Sequence, residues 1–127
     1  MPDDAAILSD LSDRIIGCAM TVANTLRAGF VEKVYENALA HELRTAGLAV
    51  VQQQGIVVWY DGVIVGQDVV DLLVEDTVMV ELKAVRGLDE VHRAQCLSYL
   101  KATGLQLCLL INFGARSLEV KRVVDGL

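Results

Sequence analysis

Val69-Val70-Asp71-Leu72-Leu73-Val74, the turn Glu75-Asp76-Thr77, and Val78-Met79-Val80-Glu81-Leu82-Lys83-Ala84 form the stretch that decides the fold. Two runs rich in Val and Leu flank a short polar break, which predicts an antiparallel hairpin. Side chains alternate along a strand. Val80, Leu82 and Ala84 therefore face one way, and Met79, Glu81 and Lys83 the other. If the turn is Glu75-Asp76-Thr77, Val74 pairs with Val78, and counting back sets Asp71 opposite Glu81. Directly opposed residues share a face, with Cβ atoms roughly 4.5–5.5 Å apart, and like charges there are destabilising. Lys83 relieves part of that repulsion. A divalent cation relieves more, because converging carboxylates are what Mg²⁺ accepts while keeping several waters. Mn²⁺ is the alternative ion. The register is open at this stage: a loop one residue shorter puts Asp71 opposite Val80, and one residue longer opposite Leu82. Either slip turns Glu81 to the other face. The plainer reading is a solvated strand face with an ion pair.

Outward from this hairpin the pattern is regular. Asp13 to Asn24 predicts a helix with Ser12 as N-cap and an apolar stripe of Ile15, Ile16, Ala19, Met20 and Val22. Gly29 breaks it. A second helix runs from about Phe30 to Ala46, with Val31, Val34, Tyr35, Ala38, Leu39 and Leu43 on its buried side, and Gly47 stops it. Leu48 to Gln53 and Ile56 to Tyr60 read as strands, Asp61-Gly62 as a hairpin turn, and Val63 to Val74 as a long strand bent near Gly66. Val78 to Val85 is followed by Gly87, and Asp89 caps a helix to Thr103, stopped by Gly104. Leu105 to Asn112 is almost wholly apolar, as in a strand buried on both faces. Leu118 to Val124 alternates as a half-exposed final strand. Helices, meander, crossover helix and buried strand make an α/β sandwich with a central mixed sheet flanked by helices.

The chain has 127 residues, of which 54% are hydrophobic, with one Pro. That fits one domain spanning 1–127, large enough to bury about two-thirds of its unfolded surface without a staple. No apolar run reaches the ~18 residues of a membrane span, and Met1-Pro2-Asp3-Asp4 is acidic where a signal peptide is basic. The three cysteines, Cys18, Cys96 and Cys108, form no C-x-x-C pair. They read as free thiols in a reducing cytoplasm. The net charge of −6 runs against the basic face expected of a nucleic-acid binder. Local clustering of Lys and Arg, together with bound cation, offsets some of it.

Further motifs stand in order along the chain: Gly29-Phe30-Val31-Glu32-Lys33-Val34-Tyr35, then Glu36-Asn37-Ala38-Leu39 and His41-Glu42-Leu43. Asp71-Leu72-Leu73-Val74-Glu75-Asp76 and Val80-Glu81-Leu82-Lys83-Ala84-Val85 follow. Ala94-Gln95, Tyr99-Leu100-Lys101 and Leu110-Ile111-Asn112-Phe113-Gly114 complete the set. Asp71 with Glu81-Leu82-Lys83 resembles the D…(D/E)-x-K signature of the PD-(D/E)XK nucleases. The whole series, over residues 11–124, resembles the GxxExxY branch of that superfamily. The chain departs from that branch at Thr21, Ala23 and Asn24, where Glu and a His-Arg pair are common. It departs also at Arg27-Ala28 in place of Gly-Pro, and at Val69 in place of Arg.

The resemblance implies a restriction-endonuclease-like fold and a Mg²⁺-dependent phosphodiesterase acting on DNA or RNA. It implies metal ligands Asp71, Glu81 and the Leu82 carbonyl, with Glu32 as a further ligand directly or through water. Lys83 then orients or deprotonates the attacking water, and Gln95 takes the helix position beside that lysine. Tyr35 reads as core with its hydroxyl on a site carboxylate, and Tyr99 and His92 share a helix face with Gln95. His92 reads more simply as a hydrogen-bonding surface residue. Trp59 and Tyr60 read as packing or subunit-interface residues, with base stacking as the alternative. No Ser/His/Asp spacing, phosphate-cradling Gly loop or dinucleotide fingerprint is present. A catalytically silent nuclease-like domain that binds nucleic acid or a protein partner stands as the second reading. The strand carrying Trp59 and the last strand are candidate edges for a homodimer.

Overall fold

The computed structural model describes residues 3–126. Met1, Pro2 and Leu127 lie outside them, so the signal-peptide reading rests partly on undescribed residues. The order is α1 (Asp4–Leu26), α2 (Glu32–Thr45), β1 (Val50–Tyr60), β2 (Val63–Val74), β3 (Val78–Lys83), α3 (Glu90–Thr103), β4 (Leu107–Asn112) and β5 (Glu119–Val124). The five strands form one sheet in sequence order. β1 to β3 are an antiparallel meander, β4 runs parallel to β3 across α3, and β5 is antiparallel to β4. The sandwich with a mixed sheet is therefore the observed architecture, and β1 and β5 are its edges.

Helices cover both sheet faces. On one, α1 and α2 press Leu8, Leu11, Ile15, Tyr35, Leu39 and Leu43 onto Leu72, Val80, Leu82, Leu109 and Ile111. On the other, α3 presses Cys96, Tyr99 and Leu100 onto Val70, Met79, Cys108 and Leu110. β4 supplies both layers and is buried at every residue, which explains its unbroken apolar run.

Several sequence expectations change. α1 starts nine residues before Asp13, capped by Asp3, whose side chain accepts the Ala6 amide at 2.8 Å. Leu8 and Leu11 extend the buried stripe, while Met20 is exposed. Ser12 is not a cap. It is buried inside α1, and its hydroxyl accepts from Arg122 Nε at 2.9 Å. Val31 and Val34 are exposed rather than core, because α2 begins later, at Glu32. The two strands expected before Asp61 are one, β1, which passes through Gln53 with φ +56. Asp61 and Gly62 make the turn, both with positive φ, as a tight hairpin requires. α3 runs between Asp89, whose side chain accepts the Val91 and His92 amides, and Gly104.

The loop leaving β3 is fixed from below. Asn112 is fully buried; its side chain accepts the Val85 amide and donates to the Val85 carbonyl, as a neighbouring strand would. A Cβ on Gly114 would lie 2.4 Å from the Val85 nitrogen, so only glycine allows this approach.

Candidate active site

β2 and β3 keep their ladder only between Leu72↔Val80 and Val74↔Val78. That is the register of the three-residue turn, and it carries Asp71 toward Glu81. The strands part before that pair forms. The Asp71 amide donates to Glu81 Oε1 at 3.3 Å, and the Leu82 amide donates to Asp71 Oδ2 at 2.7 Å. Side-chain alternation also breaks here. Leu72 packs under α1 and α2, yet Val70, two residues away, packs with Met79 and Tyr99 under α3. On β1, between the partners of Leu72 and Val70, sits Gln53 with its positive φ.

Glu81 is 5% exposed. Lys83 Nζ stands 3.7 Å from its Oε2, and the Tyr99 hydroxyl points at the same oxygen from 3.5 Å. Burial, and then Asp71, push the Glu81 carboxyl up to about 8, against the pull of Lys83. Burial and then Glu81 likewise push the Tyr99 hydroxyl well up, so it stays a donor. Lys83 Nζ donates to Gln95 Oε1 at 3.2 Å, which ties the strand cation to α3. The structure thus brings together Asp71, Glu81, Leu82, Lys83, Gln95 and Tyr99.

Glu32 lies in the first turn of α2. Burial pushes its carboxyl up; Lys83 pulls it down and Asp71 pushes it up, so it feels both site residues. It makes no hydrogen bond with them among the described residues. Tyr35 differs from expectation. Its hydroxyl donates to the Arg27 carbonyl and accepts the Phe30 amide, and its ring stacks on Phe113 at 4.7 Å. It builds the core beneath the Gly29 loop and touches no site carboxylate. His92 accepts the Asp89 amide on Nδ1 at 3.2 Å and completes a capping box. Trp59 and Tyr60 are exposed, at 63% and 73%, by the β1–β2 turn.

Two residues escaped sequence reasoning. Gln53 Nε2 donates to Asp71 Oδ1 at 3.3 Å and to Glu36 Oε1 at 2.6 Å. Glu36 is 3% exposed and also accepts from Lys33 at 2.9 Å and Gln52 at 2.7 Å. The signal was the run Gln52-Gln53-Gln54 inside a strand whose other residues are Val, Ile, Gly55, Trp59 and Tyr60.

Among the described residues no three His, Cys, Asp or Glu side chains stand together as a metal cage. The donors that do converge are hard oxygens, two of them carboxylates. One of that pair is driven toward its neutral form by burial and by the other acid. A cation taking the place of the Glu81 proton suits such a pair, so the residues fit a divalent ion of the Mg²⁺ or Mn²⁺ type.

The sequence from 9 to 123 matches the family model of the PD-(D/E)XK nuclease superfamily. No curated protein matches the chain. Among solved structures, SSO0001 resembles it with a TM-score of 0.59 at 12% identity, over 76% of this chain and 51% of that one. An alkaline exonuclease (LHK-Exo) from Laribacter hongkongensis resembles it with a TM-score of 0.56 at 16% identity, over 98% of this chain and 72% of that one. The chain thus spans about half the length of the first and most of the second. At these identities the likeness is one of fold. Among the described residues no helix is long and apolar enough to cross a membrane.

Proposed function

The chain belongs to the PD-(D/E)XK nuclease superfamily, and from that premise we propose that it is a metal-dependent phosphodiesterase cleaving DNA or RNA. One observation carries the reading: two acids interlocked across parting strands, with Lys83 held against one of them by Gln95. The order and spacing of its motifs support the GxxExxY branch, and the reading treats residues 1–127 as one nuclease-type domain. The free thiols Cys18, Cys96 and Cys108 suit a reducing cytoplasm.

Asp71, Glu81 and the Leu82 carbonyl would hold Mg²⁺, or Mn²⁺, with Glu32 joining directly or through water. When bound, the ion polarises a phosphoryl oxygen and makes hydroxide available near neutral pH. The protein does the positioning. Gln95 fixes Lys83 Nζ, which then orients the attacking water or steadies the charged phosphorus centre. Tyr99 holds the Glu81 carboxyl from the helix side. Gln53 and Glu36 hold Asp71 from β1 and α2.

The test is cleavage of single-stranded, duplex and branched substrates with Mg²⁺ and Mn²⁺. Asp71→Asn and Lys83→Ala abolish metal-dependent cleavage while keeping the melting transition. Cleavage retained in the double variant overturns the reading. A second reading, a catalytically silent domain that binds nucleic acid or a protein partner, is favoured by the net charge of −6. It predicts binding without cleavage under every metal condition. A homodimer through the exposed β1–β2 hairpin belongs to either reading.

A further inference from the structure

We propose that the groove between the C-terminal half of α1 and the β4–β5 turn seats one nucleotide of a single-stranded nucleic acid. The proposal rests on the nuclease reading and names the strand form that the site receives.

The groove has a volume of about 1080 Å³. Ile16, Met20, Val120 and the buried Phe113 line it together with the exposed Arg27 and Arg116. An apolar wall takes the face of an unstacked base, and a guanidinium takes a phosphate with paired donors. Both arginines are exposed, and neither has an ion-pair partner among the described residues. Arg93 and Arg122 are by contrast paired, with Glu90 and Asp13. Arg14 and Arg44 are spent on main-chain carbonyls. In a chain of net charge −6, the arginines left uncompensated among the described residues are Arg27, Arg116 and Arg86, and the first two line this groove while Arg86 stands in the loop after β3.

The groove adjoins the carboxylate site through the backbone. Phe113 follows Asn112, the ladder partner of Lys83, and its amide donates to the Lys83 carbonyl at 2.9 Å. Tyr35 stacks on Phe113 and bonds the Arg27 carbonyl, so the end of α1 is fixed to the end of β4. Phe113 packs in the α1–α2 layer, and α2 also carries Glu32 and Glu36 toward Asp71, while Glu81 and Lys83 turn toward α3. A duplex keeps its base faces stacked inside, so an apolar wall that takes a base face selects an unpaired strand.

The test is fluorescence anisotropy in chelator, with labelled oligo(dT), oligo(U) and a blunt duplex as probes. The wild type binds one of the single strands at least tenfold more tightly than the duplex. Arg27→Gln with Arg116→Gln weakens that binding at least tenfold and lowers the salt slope by about 0.7 for each phosphate that is no longer neutralised. Met20→Glu, at an exposed position, weakens it without touching either arginine. Unchanged single-strand binding in the arginine and Met20 variants, or equal affinity for the duplex, overturns the proposal. Asp71→Asn separates this from the nuclease reading. If no metal-dependent cleavage occurs yet the arginine variants lose binding, that reading alone falls. If cleavage occurs and is lost in Asp71→Asn while the arginine variants bind normally, the groove alone falls.

Discussion

The Asp71 carboxylate accepts the Leu82 amide while the Glu81 carboxylate accepts the Asp71 amide, so each acid grips the strand that carries the other. The two strands open just where their ladder would have joined these residues. An opening in a sheet normally leaves amides without partners, which is costly when they are buried. Here the acids fill that role, and their remaining oxygens meet side chains: Asp71 Oδ1 accepts from Gln53, and Glu81 Oε2 faces Lys83 and Tyr99. Fold and chemistry therefore draw on the same two carboxylates.

Replacing Asp71 separates these roles. Asp71→Asn keeps an oxygen for the Leu82 amide and removes the charge facing Glu81. Its unfolding free energy stays within about 1 kcal/mol of wild type, whereas Asp71→Ala orphans that amide and costs about 1–3 kcal/mol. Calorimetry with Mg²⁺ reads the other role: the wild type binds and melts higher, and Asp71→Asn shows neither effect.

Glu81 gives the metal-free chain a pH dependence. Its carboxyl titrates near 8 when folded, against 4.5 as the ordinary value. The folded state binds this proton more tightly, so its contribution is full below about 4.5 and is lost as pH rises through 8. Urea unfolding in chelator at pH 5.5 and pH 8.5, approximate settings on either side of this range, falls by about 1–3 kcal/mol across it. Glu81→Gln flattens the difference. An equal slope in wild type and variant refutes the assignment.

Glu36 is the support that reaches furthest from the site. Three donors converge on it, and one of them, Gln53, also reaches Asp71. Glu36→Ala takes their shared acceptor away, leaving Gln52 only Asn37, Gln53 only Asp71 and Lys33 only solvent, and costs about 1–3 kcal/mol. It also loosens Asp71, so apparent Mg²⁺ affinity drops by about tenfold, in the range for outer-shell partners. Gln53→Ala, which spares the other two donors, lowers Mg²⁺ affinity with a smaller loss of stability.

Much of this arrangement was legible in the sequence, for identifiable reasons. The register of β2 on β3 is that of the three-residue turn, one of the three loop lengths that the sequence left open, and it follows from that turn because strand pairing propagates by counting. Asp89 and Gly104 bounded α3 through local chemistry that needs no tertiary partner. The start of α1 was missed because Ser12 mimics a cap, and only Arg122, far along the chain, shows that its hydroxyl is spoken for. The break in alternation at Asp71 was invisible, since Val69-Val70-Asp71-Leu72 has no polar rhythm to interrupt. Gln53 and Glu36 meet only through the approach of α2 to β1, which no local pattern encodes.

Gly114 tests how far the site depends on the loop behind it. A Cβ there meets the Val85 nitrogen and the Ala84 carbonyl carbon at 2.4 and 2.5 Å, both main-chain atoms that cannot swing aside. Gly114→Ala therefore costs about 1–3 kcal/mol and displaces the segment that follows Lys83. Cleavage falls even where the protein is still fully folded.

The β1–β2 hairpin supplies the last prediction. Beyond Leu72 the β2 ladder to β3 ends, so residues 63–70 pair with β1 alone. Val58, Trp59, Tyr60, Val63, Ile64 and Val65 are all exposed along this ribbon. Apolar residues on a ribbon with unpaired main-chain groups invite a second strand. Two copies joining hairpins would satisfy both needs with a self-complementary contact. Sedimentation velocity then shows a concentration-dependent dimer. Trp59→Glu with Val65→Glu yields a monomer whose melting temperature is set by the core alone. A wild type that stays monomeric at the highest attainable concentration overturns the dimer and leaves the ribbon for a different occupant.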